Sequence, residues 1–490
     1  MRKSAPMLLC DFYKISHREQ YPKGTEYVYS TWIPRTSRIE GIDHVLAFGF
    51  QGFIKKYLLN YFHENFFSKN IDFIIEDYKN FISASLLINK SDVKTDHIRD
   101  LYNLGHLPLL IKAVPEGISV PLRCPMLTIE NTDPIFFWLT NFIETLMSCE
   151  LWQPSTSATI ANEYRKSLDS AARKTGSPMD FVEFQGHDFS MRGMGCLDAA
   201  QTSGAGHLLS FKGTDSIPAI LYLEDYYNTS SLVGTSIPAT EHSVMCSYGQ
   251  DEYETFKRLI TKVYPSGLIS IVSDTWDFWT VLDDVVRRLA DTIKQRPGKV
   301  VIRPDSGDPI KIICGDKDST NELERIGAVE LLWQIFGGTF NNAGYRTLHH
   351  SIGLIYGDAI TLERCREICR RLEEKGFSSS NVVFGIGSYT YQYNTRDTFG
   401  FALKTTHVVI NGKEYNIFKD PKTDKDSIKK SLTGRVAVLH NGRDYECKSG
   451  LTITDEADIF RDNFLRPIFK NGELLVDDSL QMIRSRINRF

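Results

Sequence analysis

The chain carries five short apolar runs, and each of them stops at a cluster of charged residues, histidine or glycine. The runs span residues 181–184, 268–272, 300–302, 352–356 and 382–384. Near-continuous apolar runs of this length, rich in β-branched residues, predict buried parallel strands. In parallel α/β folds the ligand lies beyond the carboxyl ends of the strands. The repeated polar ends therefore predict one site, suited to an anionic, phosphate-bearing ligand.

The spacing of these runs indicates how the chain is organised. Asp274 and Asp305 are 31 residues apart and Asp358 and Gly385 are 27 apart, each about one strand–helix unit, whereas residues 308–350 leave room for an insertion. A full or distorted α/β barrel fits this alternation better than an open sheet. It predicts a barrel-like catalytic domain over 151–395, preceded by a mixed α+β segment (1–150) and followed by a β-rich segment (396–490).

Outside the five runs, the hydrophobic pattern predicts further elements. Residues 25–33 read as a strand, residues 47–61 as a helix, residues 207–211 as a strand-like run and residues 406–418 as a hairpin with an Asn-Gly turn. Cys365 and Cys369, four residues apart, should share one face of a helix as reduced structural thiols.

Composition narrows the class of protein. The 490 residues are 42% hydrophobic and 12% aromatic, as expected of a well-filled globular interior. A net charge of −4 argues against a general nucleic-acid or membrane-surface role. No apolar run is long enough to span a membrane, and Asp11 interrupts the N-terminus too early for a signal peptide. A cytoplasmic enzyme is the expectation.

The sharpest local signal is Arg303-Pro304-Asp305-Ser306-Gly307. A guanidinium at a strand end can grip an aromatic ring or a phosphate. The carboxylate two residues on can hold a sugar hydroxyl or Mg²⁺. An Arg–Asp ion pair that closes a loop is the competing interpretation.

Two glycine-containing turns also follow predicted strands. Gly385-Ile386-Gly387-Ser388 is not a dinucleotide-binding fingerprint, because Thr390 stands in place of its last glycine. Its amides can cradle a monophosphate, although a plain tight turn is an equal alternative. Gly357-Asp358 suits a ribose diol or, equally, a helix N-cap.

Four further residues carry possible chemistry. His242 lies between acidic and small residues, which suits a reactive imidazole, although a structural role is common for a single histidine. Asp215 follows the strand-like run at 207–211, where its carboxylate could contact a ligand. The competing interpretation is an ordinary surface aspartate. Phe189 and Arg192 combine a ring with a cation that could hold a flat ligand, or they are a core ring beside a surface charge.

Taken together and in this order, these segments resemble the nicotinamide phosphoribosyltransferase family of type II phosphoribosyltransferases. The segments that carry the resemblance are Asp11-Phe12-Tyr13-Lys14 with His17 and Gln20-Tyr21-Pro22, Trp138-Leu139-Thr140-Asn141, His187-Asp188-Phe189 with Arg192-Gly193, Phe211-Lys212-Gly213-Thr214-Asp215, Glu241-His242-Ser243, Val272-Ser273-Asp274, Ile302-Arg303-Pro304-Asp305-Ser306-Gly307, Gly357-Asp358 and Phe418-Lys419-Asp420-Pro421.

The resemblance implies a fold, a reaction and partners. The fold would be a distorted α/β barrel with a second α+β domain built from the N- and C-terminal segments. The reaction would join nicotinamide to phosphoribosyl pyrophosphate in NAD salvage, giving nicotinamide mononucleotide and pyrophosphate, with Mg²⁺. ATP hydrolysis would be coupled through a phosphohistidine, and the enzyme would be a homodimer with active sites at its interface.

The same resemblance assigns roles to residues. The catalytic residues would be His242, Asp305 and Asp274, with Asp305 also holding the metal. The substrate-binding residues would be Asp11, Tyr13, Phe189, Arg192, Asp215, Ser270, Arg303, Gly357, Asp358, Gly387, Ser388 and Arg396. The ATP or pyrophosphate phosphates would contact Arg35, His242, Lys419 and Lys429.

Three alternatives remain. A nicotinate phosphoribosyltransferase shares fold and chemistry, but a buried Asp215 carboxylate would repel the acid. A barrel glycosidase would use two strand-end carboxylates, yet Arg and Gly dominate the strand ends here. The third alternative is a metabolite-binding protein without catalytic activity.

Overall fold

The structure, a computed structural model, describes residues 5–357, 359–419 and 431–487. Its strands are β1 (Thr25–Ile33), β2 (His44–Leu46), β3 (Leu109–Ala113), β4 (Ser119–Pro121), β5 (Leu127–Asn131), β6 (Gly186–Asp188), β7 (Gly213–Thr214), β8 (Gly267–Val272), β9 (Gly298–Arg303), β10 (Gly338–Phe340), β11 (Arg346–Leu348), β12 (Ile352–Tyr356), β13 (Val382–Ile386), β14 (Ala402–Ile410), β15 (Lys413–Asn416), β16 (Arg435–His440), β17 (Tyr445–Leu451), β18 (Arg466–Lys470) and β19 (Glu473–Leu474).

The helical segments alternate with these strands and range from single turns to one helix of 32 residues. They are Ala5–Leu8, Phe12–Ser16, His17–Gln20, Phe50–Phe53, Ile54–Tyr61, His63–Phe67, Ile71–Leu86, Lys90–Asp92, Asp96–Leu104, Pro134–Phe136, Leu139–Phe142, Glu144–Thr175, Val182–Gln185, Met191–Gly193, Leu197–His207, Ile217–Tyr226, His242–Cys246, Glu252–Arg258, Leu259–Val263, Phe278–Thr280, Val281–Val286, Ala290–Gln295, Pro309–Cys314, Glu322–Ile326, Ala328–Phe336, Leu362–Glu374, Ser379–Asn381, Ser388–Tyr391, Ile453–Asp458 and Leu480–Arg486.

The chain divides into two compact units. Unit 1 comprises residues 1–159, 222–230 and 394–488, and unit 2 comprises residues 160–221, 231–393 and 489–490. In the described part of the chain, no helix combines the length and apolarity needed to cross a membrane.

Unit 1 is built around an antiparallel sheet that joins both ends of the chain. Its strand order is β15-β14-β1-β5-β3-β18-β19, so strands from the C-terminal segment flank strands from the N-terminal segment. Trp32 of β1 is fully buried and stacks on Phe401, with ring centroids 5.1 Å apart. This confirms the predicted second α+β domain formed from the two terminal segments.

Unit 2 contains a parallel sheet with the strand order β7-β6-β13-β12-β9-β8. Its two edge strands both bond to one further segment, residues 235–240. The Thr214 amide of β7 donates to the Thr235 carbonyl at 3.0 Å, and the Ser270 amide of β8 donates to the Pro238 carbonyl at 2.9 Å. The sheet therefore closes on itself as a distorted barrel, and the carboxyl ends of its strands meet at one rim.

Most predicted elements match the observed ones. β1, β8, β9, β12 and β13 cover their predicted runs, and the hairpin β14–β15 turns at Asn411 and Gly412, both with positive φ. Cys365 and Cys369 are buried on the helix Leu362–Glu374, which Thr361 caps by accepting from the Arg364 amide. The helix predicted over 47–61 begins at Phe50.

Two predicted strands are wrong. Val182–Gln185 is a helical turn, held by the Gln185 side-chain amide, which donates to the Ser379 carbonyl at 2.6 Å and to the Val382 carbonyl at 3.1 Å. The strand is instead the next segment, β6, which is too polar for a hydrophobic pattern to reveal. The run at 207–211 is the end of the helix Leu197–His207 and the turn after it. β7 follows, so Asp215 still lies at a strand end.

Candidate active site

The rim at the carboxyl ends of the barrel strands collects most of the residues that the sequence singled out. Phe189 follows β6, Asp215 follows β7, His242 follows the closing segment 235–240, and Asp274 follows β8. Arg303 ends β9. The remaining rim residues are Asp305, Gly357, Gly387 and Ser388, and the nearby turn Met191–Gly193 carries Arg192.

A cavity of about 450 Å³ runs inside the barrel beneath this rim. Its wall at the rim includes Phe189, Asp215, Ser270 and Arg303. The guanidinium carbon of Arg303 lies 6.0 Å from the centroid of the Phe189 ring, within cation–π range. The cavity mouth thus offers a flat apolar ring, a cation and a carboxylate to one ligand.

Asp215 is held in place by two donors. His187 Nε2 lies 2.8 Å from Asp215 Oδ1, and the Ser236 hydroxyl donates to the same oxygen. Burial raises the pKa of Asp215, but these bonds and the charge of Arg303 outweigh burial and hold that pKa below its usual value. Among the described residues, Oδ2 receives no hydrogen bond, so it remains available to a ligand donor.

Ser270 adds a second polar atom to the cavity. The residue is buried, and its hydroxyl has no hydrogen-bond partner among the described residues. An unpartnered buried hydroxyl is costly unless a ligand or water satisfies it. A ligand with a donor or acceptor near β8 would supply the missing partner.

Arg303 and Asp305 face each other across the loop after β9. The Arg303 Nε to Asp305 Oδ1 distance is 3.4 Å, and both side chains are largely buried. The ion pair that the sequence left as a competing interpretation is therefore present. At this distance it is a loose pair that leaves guanidinium donors available, since a close Arg–carboxylate bond is nearer 2.8 Å.

Gly357 gives Asp305 the space it occupies. A Cβ at Gly357 would lie 1.7 Å from Asp305 Oδ1. Because the φ of Gly357 is not positive, glycine is required here for space and not for backbone freedom. Gly357, at the end of β12, therefore leaves the space that the carboxylate of Asp305 occupies in the loop after β9.

Gly357→Ala is expected to lower kcat/KM at least tenfold by displacing the Asp305 carboxylate, while the fold persists. Steady-state kinetics and thermal unfolding measure the two effects. Gly195→Ala is the matched control, because a Cβ there meets its first neighbour only at 3.5 Å. An unchanged kcat/KM for Gly357→Ala would contradict the role given to this glycine.

A second polar cluster joins His242, Asp274 and the loop after β9. Asp274 Oδ2 accepts from the amides of Asp305 and Ser306 at 2.9 and 2.8 Å and from the Ser306 hydroxyl at 2.5 Å. Asp274 Oδ1 lies 3.1 Å from His242 Nε2. Burial raises the pKa of Asp274, but these bonds and the His242 charge outweigh it and lower that pKa. Asp274 is thus an ionised anchor that orients an accessible imidazole.

Glu252 is a neighbour of this cluster that sequence reasoning missed. Burial, followed by the charges of Asp277 and Asp274, raises the pKa of Glu252 to about 7. Its Oε1 is buried without a hydrogen-bond partner in the described chain. A carboxyl of this kind can hold or release a proton near neutral pH. Local sequence gives no sign of it, since the shift comes from burial in the fold and from two aspartates that lie 22 and 25 residues away in sequence.

Gly387, Ser388 and Arg192 lie near one another. A Cβ at Gly193 would lie 2.1 Å from Ser388 Oγ, so the turn that carries Arg192 packs against the end of β13. Tyr389 and Tyr393 stack beyond this strand end, with their ring centroids 5.0 Å apart. The short helix Ser388–Tyr391 begins directly after Gly387.

The other predicted site residues lie in unit 1 or outside the described residues. Asp11 directly precedes the turn Phe12–Ser16, and its carboxylate accepts from the Thr145 hydroxyl at 3.1 Å. The Tyr13 side chain is exposed. Arg35 donates to the Gly400 carbonyl at 2.7 Å, while Arg396 and Lys419 are exposed. Asp358 and Lys429 lie outside the described residues.

Lys404 of β14 is a second residue that the sequence analysis missed. With Tyr13 and Lys14 it lines a cavity of about 440 Å³ in unit 1. Desolvation lowers the pKa of Lys404, Glu144 opposes this, and the charges of Arg35, Lys14 and Lys419 lower it further. Cations from distant parts of the chain therefore converge in unit 1, as an anion-binding surface requires.

A family model described as the nicotinate phosphoribosyltransferase (NAPRTase) family matches residues 184–470. A model described as the nicotinamide phosphoribosyltransferase N-terminal domain matches residues 6–111.

Solved structures share the fold at low identity. Nicotinate-nucleotide pyrophosphorylase from Pyrococcus furiosus has a TM-score of 0.58 at 15% identity, covering 99% of this chain and 95% of that chain. Human nicotinic acid phosphoribosyltransferase has a TM-score of 0.56 at 14% identity, and the match covers 97% of this chain and 92% of the human chain. The family models and the shared fold thus define a type II phosphoribosyltransferase, an enzyme of the pentosyltransferase class.

Curated relatives narrow the family. The nicotinamide phosphoribosyltransferase of Acinetobacter baylyi is 50% identical, covering 98% of this chain and 97% of that protein. The nicotinamide phosphoribosyltransferase of Mycoplasma pneumoniae is 35% identical, and the match covers 88% of this chain and 94% of that protein. The chain belongs to the nicotinamide phosphoribosyltransferase family, which confirms the resemblance read from its motifs.

Proposed function

We propose that this enzyme transfers the phosphoribosyl group of phosphoribosyl pyrophosphate to nicotinamide in NAD salvage, releasing pyrophosphate. The observation that carries the proposal is the mouth of the 450 Å³ cavity, where Phe189, Arg303 and Asp215 form a wall that suits a pyridine ring with an amide group. The ring would stack on Phe189, its amide oxygen would accept from Arg303, and its amide nitrogen would donate to Asp215 Oδ2. This orientation would present the weakly nucleophilic ring nitrogen to the sugar carbon.

Asp215 favours the amide over the acid. Its lowered pKa keeps it ionised near neutral pH. A carboxylate held against another carboxylate in a partly dry cavity is repelled by several times thermal energy. Nicotinamide is therefore the favoured substrate, and nicotinate phosphoribosyltransferase activity is the alternative that this residue opposes.

The sugar and its pyrophosphate would occupy the rim. Asp305 would stand near the ribose, where positive charge develops as pyrophosphate departs. Gly357 and Asp358 would hold the ribose hydroxyls, Gly387, Ser388 and Arg396 the monophosphate, and Arg192 the leaving group. The negative charge of Asp305 would stabilise the positive charge that develops on the ribose. The positive charge of Arg192 would stabilise the negative charge of the departing pyrophosphate.

Mg²⁺ would fit this site only together with the substrate. Within the described residues no three His, Cys, Asp or Glu side chains gather into a metal cluster. Magnesium, however, commonly binds through one or two carboxylates plus substrate phosphates and water. Asp305 is the rim carboxylate placed for this, and the ion would neutralise the leaving pyrophosphate.

ATP would act through His242. Because Asp274 holds Nε2, the nitrogen left to receive a phosphoryl group is Nδ1. Transfer of the γ-phosphoryl of ATP to Nδ1 would release ADP, and hydrolysis of the phosphohistidine would drive an otherwise unfavourable synthesis. The ATP and pyrophosphate phosphates would contact Arg35, Lys419 and Lys429. The charges of Arg35 and Lys419 that act on Lys404 support an anion site.

A homodimer would complete the site. Phe12 and Tyr13 lie exposed, at 45% and 58%, on the turn that follows Asp11. In the proposed assembly Asp11 and Tyr13 of one copy would close the nicotinamide pocket of the other, with Tyr13 stacking on the ring face opposite Phe189.

The test is product formation from phosphoribosyl pyrophosphate with nicotinamide or nicotinate in parallel, with and without ATP. We expect nicotinamide mononucleotide from the amide, with a rate that ATP raises. Activity with the acid alone would assign the alternative function. Inactivity with both bases would favour a binding protein.

Asp215→Asn is expected to reduce the preference for nicotinamide over nicotinate by about tenfold or more, because the substitution removes the repulsion of the acid. The measurement is the ratio of kcat/KM for the two bases. Asp291→Asn, at an exposed helical position, is the charge-matched control. A ratio unchanged by Asp215→Asn would remove this residue from base selection.

A further inference from the structure

A fully buried histidine that the proposed mechanism does not use, His207, joins two segments of the rim. Its Nε2 lies 3.1 Å from the Gly213 carbonyl oxygen of β7, and its Nδ1 lies 2.7 Å from the Tyr391 hydroxyl. Tyr391 ends the short helix that begins at Ser388, and Gly213 lies two residues before Asp215. One imidazole therefore bonds both to the segment assigned to the monophosphate and to the strand that leads to the base-recognising carboxylate.

The two bonds determine which nitrogen of His207 carries the proton. A carbonyl oxygen can only accept, so Nε2 carries the hydrogen and donates to Gly213. Burial lowers the pKa of His207 and outweighs the charge of Asp188, which raises it, so the ring is neutral near pH 7. Nδ1 of the neutral ring is then an acceptor, and the Tyr391 hydroxyl donates to it.

Close packing keeps this bond dry. The helix that His207 ends is rich in small residues, and a Cβ at Gly204 would lie only 2.6 Å from Ala219 Cβ. The His207 ring stacks on Phe211, with centroids 5.1 Å apart, and Tyr391 is fully buried as well. Removing either partner would therefore leave the other buried without a hydrogen bond, which is costly.

We propose that His207 is a positioning residue for the substrate's monophosphate, because it accepts from Tyr391 and so holds the turn Gly387–Tyr391 against β7. The inference rests on the proposed function, which assigns the monophosphate to Gly387 and Ser388. His207 does not line the barrel cavity, so it acts on the ligand through Tyr391. The amides and the hydroxyl of the turn bind a phosphate well only when they are held in the right orientation.

The test uses two probes that differ only in the monophosphate, nicotinamide mononucleotide and nicotinamide riboside. Calorimetry on the intact protein should give a dissociation constant about a hundredfold lower for the mononucleotide. Tyr391→Phe should reduce this ratio about tenfold, because the turn loses its bond to His207. The KM for phosphoribosyl pyrophosphate should rise by a similar factor, while the KM for nicotinamide changes less.

Two substitutions of His207 separate its two bonds. The amide of glutamine reaches the place of Nε2, so His207→Gln keeps the donor to Gly213 and loses the acceptor for Tyr391. It should reduce the ratio as Tyr391→Phe does, and the double variant should reduce it no further. The amide of asparagine reaches the place of Nδ1, so His207→Asn should retain most of the ratio. Tyr227→Phe is the matched control, because Tyr227 is a fully buried tyrosine of unit 1 whose hydroxyl accepts from the Gly52 amide at 3.2 Å.

A ratio that Tyr391→Phe and His207→Gln leave unchanged would overturn the positioning role, since a merely structural histidine would weaken both probes alike. An equal loss in His207→Asn, or failure of the mononucleotide to bind the unaltered protein, would overturn it as well. Thermal unfolding verifies that each variant is folded. Nicotinamide turnover separates the two proposals. An active enzyme whose ratio does not respond refutes the role of His207 alone, and a responding ratio without turnover refutes the proposed function alone.

Discussion

Replacing Arg303 by alanine is expected to lower kcat/KM for nicotinamide by about a hundredfold or more. The substitution removes the donor that orients the amide oxygen and the cation that lies 6.0 Å from the centre of the Phe189 ring. It also leaves Asp305, a largely buried carboxylate, without the guanidinium 3.4 Å away. Loss of one partner from such a pair is costlier than the pair itself is stabilising. Steady-state kinetics with both substrates varied measures the effect.

Arg303→Lys separates charge from geometry. Lysine keeps the positive charge beside Asp305 but lacks the planar fork that can hold an amide oxygen and stack on a ring. We expect it to restore folding stability more fully than kcat/KM. Arg287→Ala is the control, since Arg287 pairs with Asp283 on an exposed helix face away from the cavity. Kinetics of Arg303→Ala within a few-fold of the unaltered enzyme would refute the role of Arg303 in substrate orientation.

The barrel was partly visible in the sequence because its central strands are apolar on both faces. β9, β12 and β13 are such runs, and their hydrophobic patterns identify them directly. β6 and β7 could not be recognised from their sequence, because the strands are short and contain polar residues that serve the site. One of these residues is His187, which holds Asp215 in place. Closure of the barrel depends on backbone bonds from residues 235–240, a proline-containing segment with no strand pattern.

The candidate site residues also fall into two groups, those that local sequence could identify and those that it could not. Arg303, Asp305 and Asp274 lie next to recognisable strand runs, so local sequence was enough to nominate them. Glu252 and Lys404 were missed because their environments are created by groups distant in sequence. A raised carboxyl pKa or a convergence of cations is a property of the folded surroundings, and no local motif encodes it.

His242→Ala is expected to abolish both an acid-labile phosphoryl group on the protein and the stimulation of product formation by ATP. The physical reason is that His242 presents Nδ1 while Asp274 holds Nε2 at 3.1 Å. Nicotinamide transfer without ATP should persist, since His242 does not line the barrel cavity. Incubation with γ-labelled ATP measures phosphorylation, and initial rates with and without ATP measure coupling.

Asp274→Asn tests the orientation of that imidazole. The amide keeps the size of the side chain but loses the negative charge that favours a protonated Nε2 and leaves Nδ1 as the nucleophile. We expect phosphorylation to slow at least tenfold, because the imidazole loses its negatively charged partner. The ATP-independent rate should change less, because asparagine keeps an oxygen that can accept from the amides of Asp305 and Ser306. His350→Ala, an exposed histidine elsewhere in unit 2, should behave like the unaltered enzyme. Full ATP stimulation in His242→Ala would exclude the phosphohistidine route, and equal loss of both rates in Asp274→Asn would give Asp274 a structural role instead.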